Sequence, residues 1–228
     1  KAERNECGQF ATPPALAEAM ACLARSLFPD VTPMRFLDPG LGTGVFFSVL
    51  LEVYGREAIE SATGFEIDAR LASIAERLWA PFGLKVVRAD FTREGSPVYD
   101  ADKPNLIVCN PPYVRHHHIG HSAKVRLRRR VARSGLGVNG LTGLYGYFLL
   151  LADQWLAQNG GAVWIVPAEF LDVNYGEALK RYLLDKVTTL RIHRFDPADV
   201  QFSDALVTSV IVAFRKAPPP PDAEIELS

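Results

Sequence analysis

A glycine-rich turn between two apolar segments sets the strongest limit on the fold of this sequence. Residues 35–37 lead into Asp-Pro-Gly-Leu-Gly-Thr-Gly at 38–44, and an apolar helical pattern then covers 45–54. Strand, glycine turn and helix in this order are typical of the nucleotide-binding unit of a doubly wound sheet, because glycines let the backbone approach a ligand closely. The turn therefore predicts an α/β fold with a ligand site after the first strand.

Two further strand-like segments also end in acidic residues. Glu66 follows the glycine turn by about twenty residues, a spacing at which a carboxylate can accept hydrogen bonds from both ribose hydroxyls of a nucleotide. Residues 84–88 end at Asp90 and Phe91, which offer a carboxylate for an adenine amine and a ring for the base. The Gly-x-Gly-x-Gly spacing, with no phosphate-binding lysine after it, disfavours a nicotinamide dinucleotide or a P-loop nucleotide.

A rigid tetrapeptide, Asn110-Pro111-Pro112-Tyr113, follows an apolar run at 106–109 that indicates a buried parallel strand. The proline rings fix φ and remove two N–H donors, which leaves the Asn110 side-chain oxygen and the Pro111 carbonyl as neighbouring acceptors. Two acceptors suit a planar exocyclic amine, and Tyr113 offers an aromatic face for its ring. The tetrapeptide alone leaves open a simple proline-rich turn.

Taken together, these segments resemble the catalytic domain of γ-class, S-adenosylmethionine-dependent DNA adenine-N6 methyltransferases of bacterial restriction–modification systems. The resemblance covers nearly the whole chain, from 8 to 215, and its order is specific because Thr-Pro-Pro at 12–14 precedes the glycine turn. Leu41 departs from the family, which usually has a small residue at that place. The matching pieces are 8–14, 38–44, Glu66, Asp90-Phe91, 110–113 and Gln201-Phe202-Ser203.

The resemblance implies S-adenosylmethionine as the cofactor and the class I methyltransferase fold. That fold is an α/β, doubly wound, mostly parallel seven-stranded sheet, whose seventh strand is antiparallel and inserted near the sixth. The residues assigned to the cofactor are Thr12, Asp38, Gly40, Gly42, Glu66, Ile67, Asp90, Phe91 and Asn110. The residues assigned to catalysis are Asn110, Pro111, Pro112 and Tyr113, and those assigned to a flipped-out adenine and its DNA are Tyr113, Phe202 and Arg115.

Composition agrees with a single soluble enzyme domain, and the family resemblance implies the bacterial cytoplasm as its location. The 228 residues, 48% of them hydrophobic, suffice for one sizeable core. No apolar run approaches the roughly 18 residues that cross a bilayer, so no membrane partner is expected. Three cysteines without metal-type spacing predict reduced thiols.

The charge distribution points to DNA more than the net charge does. A net charge of −1 argues against a chain that mainly coats nucleic acid. Between Asp102 and Asp153, however, there is no acidic residue, and the basic residues begin directly after the tetrapeptide. We expect them to surround the mouth of the site, although a solvated basic helix is the alternative. They are Arg115, Lys124, Arg126, Arg128, Arg129, Arg130 and Arg133.

A run of histidines lies in the same segment. His117 and His121 have the i, i+4 spacing of two metal ligands on one helix. No carboxylate or thiolate is close to them in sequence, so we predict no metal, and exposed or DNA-facing imidazoles account for the run equally well.

The remaining pattern completes a single catalytic domain over 1–217. Pro218–Pro221 is a polyproline stretch, so 218–228 is expected to be a linker or tail, with no target-recognition domain. Helices are predicted at 13–27, capped by Thr12, and at 68–80, 141–158 and 175–184. Further strands are predicted at 162–166, 187–195 and 206–214.

The expected partners are double-stranded DNA, a specificity domain or subunit and a cognate restriction endonuclease. Two other functions stay open. Protein glutamine-N5 and RNA guanine-N2 methyltransferases share an Asn-Pro-Pro-aromatic signature because they also act on planar amines, and a catalytically silent DNA-binding subunit would keep the fold. The Thr-Pro-Pro segment and the Phe202 region favour DNA adenine, and the intact tetrapeptide with three acids disfavours the silent subunit.

Overall fold

The structure, a computed structural model, describes residues 11–138, 141–173, 176–195 and 208–228. The strands are β1 (Met34–Asp38), β2 (Ile59–Phe65), β3 (Leu84–Val87), β4 (Leu106–Cys109), β5 (Gly161–Pro167), β6 (Thr188–Arg194), β7 (Ser209–Arg215) and β8 (Glu226–Leu227). The helices are α1 (Pro14–Leu27), α2 (Val45–Tyr54), α3 (Ala69–Trp79), α4 (His121–Ala132), α5 (Leu144–Ala152), α6 (Glu169–Asp172) and α7 (Glu177–Asp185). None of the helices in these ranges is long and apolar enough to cross a bilayer.

The strand order places a topological switch point at the centre of the sheet. The order is β3-β2-β1-β4-β5-β7-β6-β8, so the chain runs outward from β1 to β3 and then returns to β4 on the other side of β1. β1 and β4 are parallel, with Leu37 opposite Ile107. Gly40 after β1 and Asn110 after β4 therefore lie side by side, where doubly wound sheets bind ligands.

The central strands are apolar because both faces of the sheet are covered. All four residues of β4 and all seven of β5 are buried. On the helical layers, α1 packs against α2, and α5 packs against α4 and α7. Continuous burial is what the unbroken apolar runs in the sequence predicted.

The edge of the sheet corrects the expected strand number. The described residues form eight strands and not seven, because β8 pairs in parallel with β6 at the outer edge. The Thr188 hydroxyl donates a hydrogen bond to the Ala217 carbonyl, and Arg191 forms an ion pair with Glu226, so the tail after 217 stays beside β6. As predicted, β7 is antiparallel and inserted between β5 and β6.

One predicted helix is too long. The apolar pattern at 141–158 predicted a single helix, but α5 covers only Leu144–Ala152. After Ala152 the chain tightens into turns, and the Ala157 N–H donates to the Pro104 carbonyl instead of to a helical carbonyl. Leu156 and Ala157 are buried within this turn, so their hydrophobicity extends the helical pattern without extending the helix.

Other ends differ by a few residues, and parts of two predicted elements fall outside the described residues. α7 begins at Glu177, and β7 begins at Ser209 and ends at Arg215. Residues 175, 206 and 207 are not among those described. The short helix α6 has no counterpart in the prediction.

Candidate active site

A cavity of about 560 Å³ opens at the carboxyl ends of β1 to β4. Its size is within the roughly 300–1,000 Å³ of small-molecule sites. The structure brings most of the predicted site residues into its wall, namely Thr12, Gly40, Gly42, Glu66, Ile67, Asp90, Phe91, Asn110, Pro111 and Pro112. Asp38 lies fully buried beside Pro39, which lines the cavity. Tyr113 and Arg115 are not in the wall, and Phe202 lies outside the described residues.

The glycine turn comes close to the tetrapeptide. A Cβ on Gly40 would lie 3.3 Å from the Asn110 carbonyl oxygen, which is tighter than ordinary packing. Gly42 and Gly44 have φ of 56° and 86°, in the left-handed region that favours glycine. Gly40 thus lets the turn approach the tetrapeptide closely, and Gly42 and Gly44 supply the left-handed bends that precede α2.

Leu41, the departure from the family pattern, is accommodated by a glycine in the neighbouring strand. The Leu41 side chain is buried and lies over Gly64 of β2, where an added Cβ would be 2.5 Å from Leu41 Cδ1. The Leu41 N–H donates to the Phe65 carbonyl at 2.9 Å. The larger residue thus fits because β2 has no side chain at that position.

Glu66 links the glycine turn to the start of α3. One carboxylate oxygen accepts from the Gly42 N–H at 2.8 Å, and the other accepts from the Asp68 N–H at 2.7 Å. The residue is only 6% exposed, and burial raises the pKa of Glu66 against the opposing effect of these two hydrogen bonds. Because a carboxylate has about four acceptor sites, each oxygen can still accept from a ligand hydroxyl.

Asp38 is a buried carboxyl behind the glycine turn. Oδ1 accepts from the Gly40 N–H at 3.0 Å, while Oδ2 has no hydrogen bond of normal geometry among the described residues. Burial raises the pKa of Asp38 to about 7, and the nearby charge of Glu66 acts in the same direction, whereas the contacts with Gly40 and the Cys109 thiol oppose it. The carboxyl is therefore poised to ionise when a cation comes close.

The amide of Asn110 is oriented by Thr12, and the prediction that Thr12 caps α1 is wrong. Asn110 Nδ2 donates to Thr12 Oγ1 at 3.0 Å. Thr12 does not cap α1: the N-cap is Pro13, with no side-chain cap, and Pro14 stands in the first turn, where a missing N–H costs nothing. Because the nitrogen of the amide faces Thr12, the Asn110 oxygen lies on the opposite side.

Tyr113 holds the tetrapeptide to the sheet. Its hydroxyl donates to the Ile165 carbonyl of β5 at 3.1 Å, and the residue is 9% exposed. Burial raises the pKa of Tyr113 well above the usual tyrosine value. Arg115, two residues on, is exposed and lies 4.0 Å from Glu169.

Asp90 and Phe91 are both held by neighbours. Asp90 Oδ1 accepts from the Thr92 N–H at 2.9 Å and from the Thr92 hydroxyl at 2.6 Å. Phe91 packs edge-on against Phe65, with ring centroids 5.4 Å apart, and is tilted against Phe148 at 5.5 Å. The Asp90 carboxylate and the Phe91 ring are therefore held in place by the protein itself.

Sequence reasoning did not anticipate two side-chain contacts, one in this site and one beside it. Arg126 of α4 lines the cavity and donates to Thr92, and Trp79 at the end of α3 donates from Nε1 to the Thr43 carbonyl at 2.8 Å. Nothing local separates Arg126 from the other arginines of the basic run. Both contacts arise only when the chain folds.

The histidine run does not form the expected helical pair. His116–His118 is a 3₁₀ turn, and α4 begins only at His121, so His117 and His121 are not in one helix. Partial desolvation, and then the neighbouring His118 and His116, lower the pKa of His117. Among the described residues no cluster of three or more His, Cys, Asp or Glu side chains could hold a metal.

Comparison with known proteins identifies the family and the fold of the chain. Residues 61–201 match the family described as Eco57I restriction-modification methylase, which is more than half of the chain. The chain belongs to the Eco57I restriction-modification methylase family. The Type II methyltransferase M.AccI of Acinetobacter calcoaceticus is 31% identical to it over 211 residues, which are 92% of this chain and 37% of that protein. The chain thus spans about a third of the length of the curated relatives it matches first.

Solved structures show the same fold for this Eco57I-family chain. A type I restriction-modification methyltransferase subunit from Streptococcus thermophilus superposes with a TM-score of 0.77 at 18% identity, over 96% of this chain and 47% of that one. A chain from Listeria monocytogenes, described as a class I S-adenosylmethionine-dependent methyltransferase, gives 0.74 at 15% identity, over 95% of this chain and 64% of that one. The predicted class I methyltransferase fold and the predicted restriction–modification family are confirmed, and this fold implies S-adenosylmethionine as cofactor.

Proposed function

We propose that this chain is the catalytic unit of a site-specific DNA methyltransferase, which transfers a methyl group from S-adenosylmethionine to the N6 amine of a flipped-out adenine in a bacterial restriction–modification system. The observation that carries the proposal is that Asn110 lies in one cavity with the glycine turn and with Glu66 and Asp90. The segment suited to a planar amine, at Asn110, therefore lies next to the residues suited to a nucleoside, Glu66 and Asp90. M.AccI, a Type II methyltransferase, supports the assignment to DNA modification.

The residues of the cavity fit the cofactor. Asp38 Oδ2 is a buried acceptor without a normal hydrogen bond among the described residues, which suits the ammonium group in the amino-acid part of S-adenosylmethionine. Glu66 is assigned to the ribose, and the 65% exposed Ile67 and the ring of Phe91 to the base. Gly40, Gly42 and Thr12 complete the wall around them. When bound, the cofactor supplies a methyl group that its sulfonium activates.

The role of the tetrapeptide follows from the chemistry of adenine. The N6 lone pair is delocalised into the ring, so the amine is a weak nucleophile. The Asn110 oxygen and the Pro111 carbonyl accept its two hydrogens, which favours a tetrahedral nitrogen with a localised lone pair. Thr12 fixes the Asn110 amide, and the prolines fix the backbone, so these dipoles need little reorganisation during the reaction. No strong base is required.

The substrate side needs an extruded base because the duplex hides the amine. Tyr113, held at Ile165, and Phe202 are proposed to contact the two faces of the adenine. Arg115, exposed beyond the cavity-lining Val114, is proposed to contact the DNA backbone. A specificity domain or subunit and a cognate restriction endonuclease are the further proposed partners.

The deciding experiment is methyl transfer from labelled S-adenosylmethionine to DNA, RNA and protein in parallel. We expect label in DNA only, and N6-methyladenine after the DNA is hydrolysed and analysed by mass spectrometry. Label in protein glutamine or in RNA guanine would establish one of the alternative methyltransferases. Cofactor binding without transfer to any of the three would favour the silent DNA-binding subunit.

A further inference from the structure

The basic helix α4 has two different faces. Exposed residues include His121, Arg128 and Arg129, which turn to solvent. Ala123, Arg126, Leu127 and Arg130 have the i, i+3, i+4, i+7 spacing of a single helix face and are partly or fully buried. Ala123, Arg126 and Leu127 line the cavity. Two arginines of the run therefore face the protein and not solvent.

Arg126 closes a small hydrogen-bond network around Asp90. Its Nη1 donates to the Thr92 carbonyl at 2.9 Å and to the Thr92 hydroxyl at 3.1 Å, and its Nη2 lies 3.4 Å from Asp90 Oδ2. The Thr92 hydroxyl in turn donates to Asp90 Oδ1. Thr92 is buried, so this hydroxyl has little access to water as a substitute. The rotation of the Asp90 carboxylate is thus set from both ends by Thr92 and Arg126.

Two neighbouring arginines make different contacts. Arg93 also reaches Asp90 Oδ2, at 3.2 Å, but its side chain is 66% exposed and its ion pair is screened by water. Arg130, one helical turn after Arg126, donates to the backbone carbonyls of Arg93 and Glu94 and does not line the cavity. Arg130 therefore holds α4 to the same segment without touching the acid, which makes it a matched control.

We propose that Arg126 is a positioning residue for the adenine-binding end of the cofactor cavity. Together with Thr92 it holds the Asp90 carboxylate in the orientation that accepts a hydrogen bond from the exocyclic amine of the cofactor's adenine. The consequence is selectivity: a base with an oxygen in place of the amine presents an acceptor to a fixed carboxylate and is rejected. This inference rests on the proposed function, because it assumes that the cavity binds S-adenosylmethionine.

The test is calorimetric binding of S-adenosylhomocysteine and of S-inosylhomocysteine, which differ at the exocyclic group. The parent should prefer the adenine compound by about 10-fold or more, as expected for a hydrogen bond to a charged group. Arg126→Met should reduce this ratio at least threefold, because the Asp90 carboxylate loses its less exposed partner at Oδ2 and the Thr92 hydroxyl loses the donor that orients it. Arg130→Met should leave the ratio unchanged. If Arg126→Met does not fold, Thr92→Val, which removes the shared hydroxyl, carries the same expectation.

The outcomes separate this inference from the proposed function. If the parent binds neither compound, the proposed function falls and the inference falls with it. If the parent prefers adenine and Arg126→Met keeps the full ratio, even with weaker binding of both compounds, Arg126 is only a structural brace and the inference alone is overturned. If Arg126→Met and Arg130→Met reduce the ratio equally, the attachment of α4 to residues 93–94, and not the orientation of Asp90, determines the selectivity. That result would also overturn the inference.

Discussion

The two halves of the candidate site differ in how much of their geometry the protein fixes by itself. On the cofactor side, Glu66 is bound to two backbone N–H groups, and Asp90 to the backbone and hydroxyl of Thr92. On the proposed substrate side, Arg115 is exposed, and the ion pair that it forms within the described residues is a 4.0 Å contact with Glu169. This contrast supports the proposal of a preorganised pocket for a small ligand, beside a more exposed surface that is proposed to contact DNA.

The largest expected effect comes from Asn110, which lies where the two halves meet. Asn110→Ala should lower the rate of methyl transfer about 100- to 1000-fold, the cost of removing one preorganised polar group. The fold and cofactor affinity should change little, since the amide mainly polarises the substrate amine. Single-turnover transfer rates and a thermal melt of both proteins provide the measurement. Activity within a few-fold of the parent would remove Asn110 from the catalytic role.

Thr12→Val is a graded version of the same change, because it removes the oxygen that accepts from Asn110 Nδ2 and keeps the amide. We expect about a tenfold loss of rate, the equivalent of one hydrogen bond. A loss as large as that of Asn110→Ala would mean that Thr12 itself contacts the reactants.

On the cofactor side, Glu66→Ala should weaken binding of S-adenosylmethionine by about 1–3 kcal/mol, as expected for hydrogen bonds to a charged group. The variant also leaves the N–H groups of Gly42 and Asp68 without their acceptor, so its melting temperature should fall. Calorimetry separates the two effects when it is done well below that temperature. Equal affinity in Glu66→Ala and the parent would exclude Glu66 from the site.

Variants of Leu41 and Gly64 test whether the glycine turn is packed tightly against β2. Gly64→Ala should destabilise the fold by about 1–3 kcal/mol, because the new methyl group would meet Leu41 Cδ1 at 2.5 Å. Leu41→Ala also costs stability because it removes a buried side chain, but the loss in the double variant should be clearly smaller than the sum of the two single losses, because the new methyl group fills part of the space left by Leu41. Urea unfolding of both single variants and the double variant measures the coupling. Additive losses would show that the two side chains do not compete for one space.

Much of the cofactor side could be predicted from the sequence because each of its parts is local. The glycine turn, Glu66 and Asp90 each stand at the end of an apolar run, and the order of the strands brings those ends together. The contact between Thr12 and Asn110 joins residues 98 positions apart, and that between Arg126 and Thr92 joins residues 34 apart. No local pattern encodes either contact, so the sequence suggested a helix cap and a cofactor contact for Thr12, and placed Arg126 only among basic residues that surround the mouth of the site or lie on a solvated helix.

Ionisation of Asp38 should make both the free energy of unfolding and the affinity for the cofactor depend on pH. Its pKa in the folded chain is about 7, against an ordinary value of about 3.9. Between these values the unfolded chain loses the proton and the folded chain keeps it, so the free energy of unfolding should fall as pH rises toward 7 and then level off. Affinity for the cationic cofactor should instead rise by about tenfold from pH 6 to pH 8, because binding favours the carboxylate.

Asp38→Asn is the variant that checks this assignment. It should flatten both profiles, which are measured by urea unfolding and by calorimetry across the pH range. Unchanged profiles in Asp38→Asn would assign the titration to another group, and Glu66, whose pKa burial also raises, is the first to examine.

The smallest expected effect comes from a variant on the solvent face of α4. It tests directly whether exposed charges near the site contact DNA. Arg129 is exposed, whereas Arg130 donates to the carbonyls of Arg93 and Glu94. If the outward charges are reserved for DNA phosphates, Arg129→Gln should weaken DNA binding a few-fold on every sequence and reduce the slope of log affinity against log salt by about 1. Arg130→Gln should lower stability and leave that slope unchanged, because its guanidinium is held by the carbonyls of Arg93 and Glu94 and is not directed to a phosphate. Fluorescence anisotropy of labelled duplexes over a salt series measures both, and equal slopes in the parent and in Arg129→Gln would show that this face of α4 does not contact phosphate.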